Sequence, residues 1–159
     1  MKTRSTPEAG DLRERALGYL ARREHSRFEL ARKLAQAGFD EADIGALLDE
    51  FEVKNWLSDC RFAESWVADH RARAGSVKLA YDLRQRGVSD AIIAAVLNEN
   101  RDSEFERARD VWNKKFGVPP ADAAEKARQM RFMQSRGFTS EVIRRVMADG
   151  TDRRPEFNE

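Results

Sequence analysis

Apolar residues recur at helical spacing along most of the chain, and the pattern occurs three times. Each copy has an apolar segment, a glycine and a second apolar segment, and the glycines are Gly38, Gly87 and Gly137, 49 and then 50 residues apart. In each copy, apolar residues stand four positions before the glycine, one position after it and six positions after it. These residues are Leu34, Phe39 and Ile44; Leu83, Val88 and Ile93; and Met133, Phe138 and Ile143. A repeat of about 50 residues predicts a tandem array of one structural unit.

Each repeat is predicted to contain three helices. A glycine just past an apolar periodic segment commonly ends a helix in the left-handed conformation. Two residues later stand side chains suited to capping the next helix: Asp40, Ser89 and Thr139. A further amphipathic segment precedes each pair, over residues 12–22, 59–73 and 104–116. The chain is therefore predicted to be all-α, with about nine helices in three helix-turn-helix-like repeats.

The predicted repeat boundaries are 11–55, 56–101 and 102–149. Because a unit of about 50 residues buries little surface alone, we expect the repeats to stack end to end into an elongated body. Residues 1–10 and 150–159 are polar or proline-marked and are predicted to be disordered.

Three further motifs predict where helices begin. Ser26 with Glu29, and Ser103 with Glu106, each fit a capping box. Pro119-Pro120 suits the first turn of a helix.

Composition excludes several classes of protein. The 159 residues contain no run approaching the roughly 18 apolar residues of a membrane-spanning helix, and the first residues lack the apolar core of a signal peptide. Cys60 is the only cysteine, which rules out an internal disulfide and a cysteine-based metal cluster. We therefore expect a cytoplasmic protein that binds neither metal nor membrane.

The chain lacks the usual parts of a catalytic site. His25 and His70 lie in different repeats, and each is expected to be a surface residue. The sequence contains no glycine-rich loop of the kind that cradles a nucleotide phosphate, and Asp59 beside Cys60 disfavours the thiolate. We expect no enzyme, no catalytic residue and no cofactor.

Charge is segregated along the chain although the formal net charge is only +1. Residues 40–53 carry a net −6, residues 61–86 a net +3 and residues 126–145 a net +5. Bulk charge therefore argues against an autonomous DNA-binding protein. Either the charged faces are simply solvated, or they match a partner that presents protein and nucleic acid together.

Major-groove recognition by the helix-turn-helix-like pairs is improbable on the same grounds. The second helix of the first repeat is the −6 segment, which phosphates repel, and that of the second repeat has few donors for base edges.

Phe132 is an unusual residue for its position in the repeat. Lys33 and Asp82 occupy the same position in the other two repeats, where the helical spacing makes it face outward, and Phe132 has several arginines near it in the sequence. It is interpreted either as an exposed anchor or base-stacking platform, or as a contact through which the third repeat packs against the second.

The order and spacing of several motifs resemble the RecX family of bacterial RecA regulators over about residues 12–148. The motifs are Ala16-Leu17-x-x-Leu20, Ser26-x-x-Glu29-Leu30, Asp59-x-Arg61-Phe62-Ala63 with Trp66 and Arg71, Gly75-x-x-Lys78-Leu79, Leu83-x-x-Arg86-Gly87-Val88 and Arg131-Phe132-Met133-Gln134-x-Arg136-Gly137-Phe138. Residues 40–53 are unusually acidic for the family, which fixes little at these surface positions. This segment either meets a basic lobe of RecA or faces water.

The resemblance implies a non-enzymatic inhibitor that lies in the groove or at the end of the RecA filament and reduces ATPase, strand-exchange and coprotease activities. It also implies weak binding to single- and double-stranded DNA, and the alternative function is a general DNA-binding protein that acts by occupying DNA. We expect a monomer, because no long apolar face is left over. The hypothesised binding residues are Arg71, Lys78, Arg84, Arg128, Arg131, Phe132 and Arg136.

Overall fold

The computed structural model describes residues 9–152, and helices are the only regular elements within that range. The nine α-helices are α1 (Ala9–Arg22), α2 (Arg27–Gln36), α3 (Glu41–Val53), α4 (Asp59–His70), α5 (Ser76–Gln85), α6 (Asp90–Glu99), α7 (Glu104–Lys115), α8 (Ala123–Ser135) and α9 (Ser140–Asp152). A short 3-10 helix, Arg101–Ser103, precedes α7. The prediction of an all-α protein with three helices per repeat is confirmed.

The predicted terminal segments fall mostly outside the described residues. Residues 1–8 and 153–159 are not described, so disorder there stays a prediction. Helix α1 already begins at Ala9 and α9 ends at Asp152. No helix among residues 9–152 has the length and apolar character needed to cross a membrane.

The chain divides into two compact units that do not follow the repeat boundaries. The first unit comprises the described part of Met1–Trp66 with Leu83–Ile93, and the second comprises Val67–Asp82 with the described part of Ala94–Glu159. The first repeat thus lies wholly in the first unit and the third repeat in the second, while the second repeat contributes to both.

The core of the first unit forms where α1, α2 and α3 meet. Leu30 and Leu34 of α2 and Leu48 and Phe51 of α3 are fully buried there. The apolar positions that precede and follow Gly38 face this core, as their helical spacing predicts.

The core of the second unit forms around α7, α8 and α9. Trp112, Met133 and Ile143 are buried in it. The indole Nε1 of Trp112 donates a 2.9 Å hydrogen bond to Oε1 of Gln129, a side chain that is itself buried. This bond satisfies both groups and ties α7 to α8.

Three left-handed glycines connect the paired helices. Gly38, Gly87 and Gly137 have φ values of 98°, 76° and 86°, as predicted. The Gly137 turn also packs on α5 within the second unit, where Gly75 N donates to Arg136 O at 2.8 Å and Val77 N to Gly137 O at 3.0 Å. A Cβ on Gly137 would lie 2.4 Å from Lys78 N, so the close approach requires glycine.

The predicted cap residues are right in part. Ser89 and Thr139 accept backbone hydrogen bonds from Ile92 and Val142. Asp40 occupies the N-cap position of α3 without a side-chain bond.

Three further motifs predict where helices begin, and only Ser26 forms the side-chain cap that is predicted for it. Ser26 caps α2 by accepting from Glu29 N. Ser103 forms no side-chain cap on α7, because it lies in the 3-10 turn and donates to Asn100 O. The expectation that Pro119-Pro120 begins a helix is wrong, since α8 begins at Ala123 after the cap Asp122.

Candidate functional site

The second unit carries a cluster of aromatic and cationic side chains at the end of α7 and along α8. Phe132 is half-buried and packs against the core of this unit. Its ring meets that of Phe116 edge-on, with 5.4 Å between the centroids. Phe132 is therefore not the freely exposed aromatic that its repeat position predicts. The edge-to-face contact holds both rings in place.

Three cations stand over these two rings. The ammonium of Lys115 and the guanidinium of Arg136 each lie 5.2 Å from the centroid of Phe132, and the guanidinium of Arg128 lies 5.4 Å from that of Phe116. Cation–π attraction orders these charges over the aromatic surface. A base that stacked on Phe132 would compete with Lys115 and Arg136 for the ring, so the arrangement presents positive charge more readily than a bare stacking platform.

The cations of the cluster differ in how far their charge is neutralised. Arg128 donates two 2.9 Å hydrogen bonds to the carboxylate of Glu125, which lower the pKa of Glu125 and raise that of Arg128. Lys115, Arg131 and Arg136 form no ion pair with any described residue. Lys115 and Arg136 therefore carry the unneutralised positive charge of the cluster, and Arg131 is a further unneutralised cation of α8.

The other hypothesised binding residues belong to the second repeat. Arg71 is exposed, and its Nη1 donates to Oδ1 of Asn100 at 3.4 Å. Lys78 is exposed and pairs with Asp82 at 3.7 Å. Lys78 also lies directly beside the Gly137 turn, so the second unit brings it next to the backbone of Arg136.

Arg84 is the exception, because it belongs to the first unit. It is exposed and pairs with Asp90 at 2.9 Å. Of the seven hypothesised residues, the second unit contains the other six, and within it the third-repeat members Arg128, Phe132 and Arg136 join one cluster.

Lys115 and Phe116 are the members of the cluster that sequence reasoning missed. Phe116 was assigned only as an apolar position of the helix predicted at residues 104–116. Its spacing indicates a core-facing side chain but cannot show which ring of α8 it meets. Lys115 has no signal of its own, since lysines in the last turn of a helix, here Lys114 and Lys115, are common.

Half of the acidic side chains of segment 40–53 are paired within the first unit. Arg13 donates two hydrogen bonds of 2.9 and 3.0 Å to the Glu50 carboxylate and Lys54 donates a third, which together lower the pKa of Glu50 to about 2. Arg27 lies 2.7 Å from Asp49 and 3.1 Å from Glu52. Half of the six acidic side chains therefore have basic partners.

The other three acidic residues lie around the first turn of α3. Asp40, Glu41 and Asp43 form no ion pair with any described residue. Negative charge at a helix N-terminus is favourable because it faces the positive end of the helix dipole. The segment thus has a local structural explanation.

Groups that would hold a metal are not found in the described part of the chain, where no three His, Cys, Asp or Glu side chains converge. Cys60 is exposed, with its Sγ 3.5 Å from Oε1 of Glu64.

Family models match all three repeats in order. They are described as the first, second and third three-helix domains of RecX and match residues 13–51, 58–97 and 102–147. A protein named Regulatory protein RecX from Ralstonia nicotianae is 47% identical over 136 residues, covering 86% of each chain. The protein of that name from Chromobacterium violaceum is 46% identical, covering 91% of this chain and 94% of its own.

Solved structures show the same fold. The crystal structure of RecX from Lactobacillus salivarius superposes with a TM-score of 0.78 at 18% identity, covering 90% of this chain and 96% of that one. A second crystal structure, of a regulatory protein RecX, gives a TM-score of 0.76. At this identity the two structures bear on the fold alone.

Proposed function

This chain belongs to the RecX family, and from that premise we propose that it inhibits RecA by binding in the groove or at the end of the RecA nucleoprotein filament. Bound there, it reduces the ATPase, strand-exchange and coprotease activities of RecA. It acts as a cytoplasmic monomer without catalysing a reaction itself.

The observation that carries this proposal is the presence of all three RecX domains, in order, along nearly the whole chain. Relatives named as regulatory proteins match over 86–94% of their own length in the two cases described above. A regulator needs a binding surface rather than a reaction centre, and the exposed cations of the second unit provide one. A filament is long and repetitive, which suits a partner built from tandem repeats.

The proposed filament-binding residues are the hypothesised ones and Lys115. The surface proposed in the second unit comprises Arg71, Lys78, Lys115, Arg128, Arg131, Phe132 and Arg136. Arg84 of the first unit is proposed as a separate contact. Lys115, Arg131 and Arg136 are expected to matter most, because no acidic side chain of the described chain neutralises them. Arg128 is expected to matter less, because Glu125 already holds it.

The decisive experiment measures ATP hydrolysis by the cognate RecA on single-stranded DNA with substoichiometric amounts of this protein. We expect the steady-state rate to fall well below the RecA-only rate. An unchanged rate with the cognate RecA would refute inhibition.

A pair of charge-reversal variants then tests the surface. Lys115→Glu with Arg131→Glu is expected to raise the concentration needed for half-inhibition at least tenfold, since it replaces two attractions with repulsions. The matched control is Arg15→Glu with Arg32→Glu, two exposed first-unit arginines without an ion pair among the described residues. An equal loss of inhibition in both variants would show that the overall charge of the protein, and not this surface, determines binding.

The same unneutralised cations favour the second candidate function, a general DNA-binding protein that affects recombination by occupying DNA. Phosphate contacts need only exposed positive charge. This candidate predicts that no binding to RecA persists at salt concentrations that abolish DNA binding, which the salt titration described in the Discussion measures.

A further inference from the structure

A groove in the third repeat lies outside the cluster described above. It runs between α8 and α9 beside the loop that precedes α8, and its volume is about 410 Å³. Its principal lining residues are Pro119, Pro120, Lys126, Met130, Arg144 and Met147. A volume of this size falls within the range of about 300–1,000 Å³ that is usual for ligand-binding clefts.

The groove is apolar inside and positively charged at its edge. Met147 is buried and Met130 half-buried, and flexible methionine side chains adapt to apolar partners of different shapes. Lys126 and Arg144 are exposed, and neither forms an ion pair with a described residue. No acidic side chain lines the groove. The half-buried Met130 and the unneutralised cationic edge together suit a partner that is both apolar and acidic.

The wall of the groove is held in place by the core. Gln129 is buried, accepts from Trp112 Nε1 and donates through Nε2 to Val118 O at 3.1 Å. Gly117 N donates to Trp112 O at 3.2 Å. The proline pair that follows Val118 is therefore anchored at its start, so a ligand would meet a largely preformed wall.

We propose that this groove binds an acidic peptide segment that carries a large apolar side chain. The apolar side chain covers Met130 and Met147, and the flanking carboxylates pair with Lys126 and Arg144. Charge complementarity selects this occupant over a basic or neutral peptide. Nucleic acid fits less well, because phosphates would use the cations and leave the apolar floor in water. The proposal goes beyond RecA inhibition and does not depend on it.

Methionine methyl NMR locates such binding directly, because the chain has only four methionines. The probe is a blocked peptide of sequence Glu-Asp-Glu-Leu-Leu-Glu-Asp-Glu, titrated into methyl-labelled full-length protein. We expect the Met130 and Met147 signals to shift and to saturate together. Met133 is fully buried in the core and serves as the internal control, with a much smaller expected shift.

Matched peptides and protein variants test the apolar contact and the charge pairing separately. Replacing both leucines of the peptide by serine, or its carboxylates by amides, is expected to weaken binding about tenfold or more. The protein variant Lys126→Glu with Arg144→Glu is expected to weaken binding of the original peptide by about the same factor. The control variant Arg15→Glu with Arg32→Glu is expected to bind that peptide with an affinity within about twofold of the parent protein.

Several outcomes would overturn the proposal. These are an absence of shifts at Met130 and Met147, equal binding of the amide peptide, and the same two shifts induced by a DNA oligonucleotide. Shifts that appear on raising the protein concentration alone would assign the groove to a second copy of this chain instead. Because the titration contains no RecA, its failure is distinguishable from failure of the proposed inhibition.

Discussion

His25 illustrates at the scale of one residue how packing selects a protonation state. The side chain is 1% exposed, which contradicts the expectation of a surface histidine. Its Nδ1 lies 3.0 Å from Arg23 O and its Nε2 lies 2.8 Å from Nζ of Lys33. A lysine ammonium only donates, so Nε2 accepts and Nδ1 carries the proton. The imidazole is therefore neutral in the folded protein.

Stability is expected to depend on pH through this residue. Burial, with further contributions from nearby Arg23 and Lys33, lowers the His25 pKa below the value of about 6.5 expected in the unfolded chain. Below about pH 6.5 the unfolded chain takes up a proton that the folded chain does not. The free energy of unfolding therefore decreases as the pH falls from there towards the folded pKa.

Urea unfolding between pH 7.5 and 5 measures this effect in the parent protein and in His25→Gln. We expect the variant to be less stable at pH 7.5, by about 1–3 kcal/mol, because the hydrogen bond to Arg23 O is lost. Its stability should decline less steeply with falling pH. His70→Gln is the matched control. A decline as steep in His25→Gln as in the parent would contradict the assignment.

The helix pairs show how a single glycine sets the geometry of an element. Gly137 combines a left-handed backbone with close approach to the first turn of α5. Gly45 lies inside α3, where an added Cβ would meet nothing within 4 Å. Gly137 is required by its backbone conformation and by its close neighbours, whereas Gly45 only lowers the stability of α3.

Alanine substitutions at these two glycines are expected to have opposite effects. Gly137→Ala should lower the free energy of unfolding by more than about 2 kcal/mol, since left-handed backbone alone costs a non-glycine residue about 1–2 kcal/mol. Gly45→Ala should raise it by about 0.5–1 kcal/mol through better helix propensity. Urea denaturation followed by circular dichroism measures both changes. A Gly137→Ala protein as stable as the parent would show that the turn relaxes freely.

At the scale of the whole molecule, the formal net charge of +1 conceals unequal neutralisation. In the first unit, half of the acidic segment 40–53 is paired with Arg13, Lys54 and Arg27. In the second unit, Lys115, Arg131 and Arg136 remain without acidic partners among the described residues. The charge available for a partner is therefore more positive in the second unit than the total suggests.

Salt dependence distinguishes a protein partner from DNA. Counterion release predicts that affinity for single-stranded DNA falls by orders of magnitude as salt rises a few-fold. Binding to RecA in the absence of DNA is expected to weaken far less, because it releases no counterions condensed on a phosphate backbone. Both affinities are measurable by fluorescence anisotropy from 50 to 300 mM salt. RecA binding that falls as steeply as DNA binding would favour the general DNA-binding function.

The helices, the repeat and the left-handed turns were predictable because their causes are local. Helical periodicity places Leu34, Leu83 and Met133 on buried faces, and a glycine ends each helix whatever its distant neighbours are. The motifs that resemble RecX are local strings for the same reason, and the family matches confirm that resemblance. The cationic part of the candidate site was likewise visible as a run of arginines.

Tertiary structure alone decided which charges are neutralised and which aromatic rings meet. Arg13 and Glu50 are 37 residues apart, and no spacing rule pairs them. Phe132 is half-buried where Phe116, the residue that follows α7, meets its ring edge-on, and His25 is buried although it lies in a polar loop. Such contacts depend on how the helices pack in three dimensions. The energy of a charged group or of an aromatic ring depends in turn on the groups that surround it. The sequence therefore indicated a helical binding protein with segregated charge, and the fold determined which of its cations remain available.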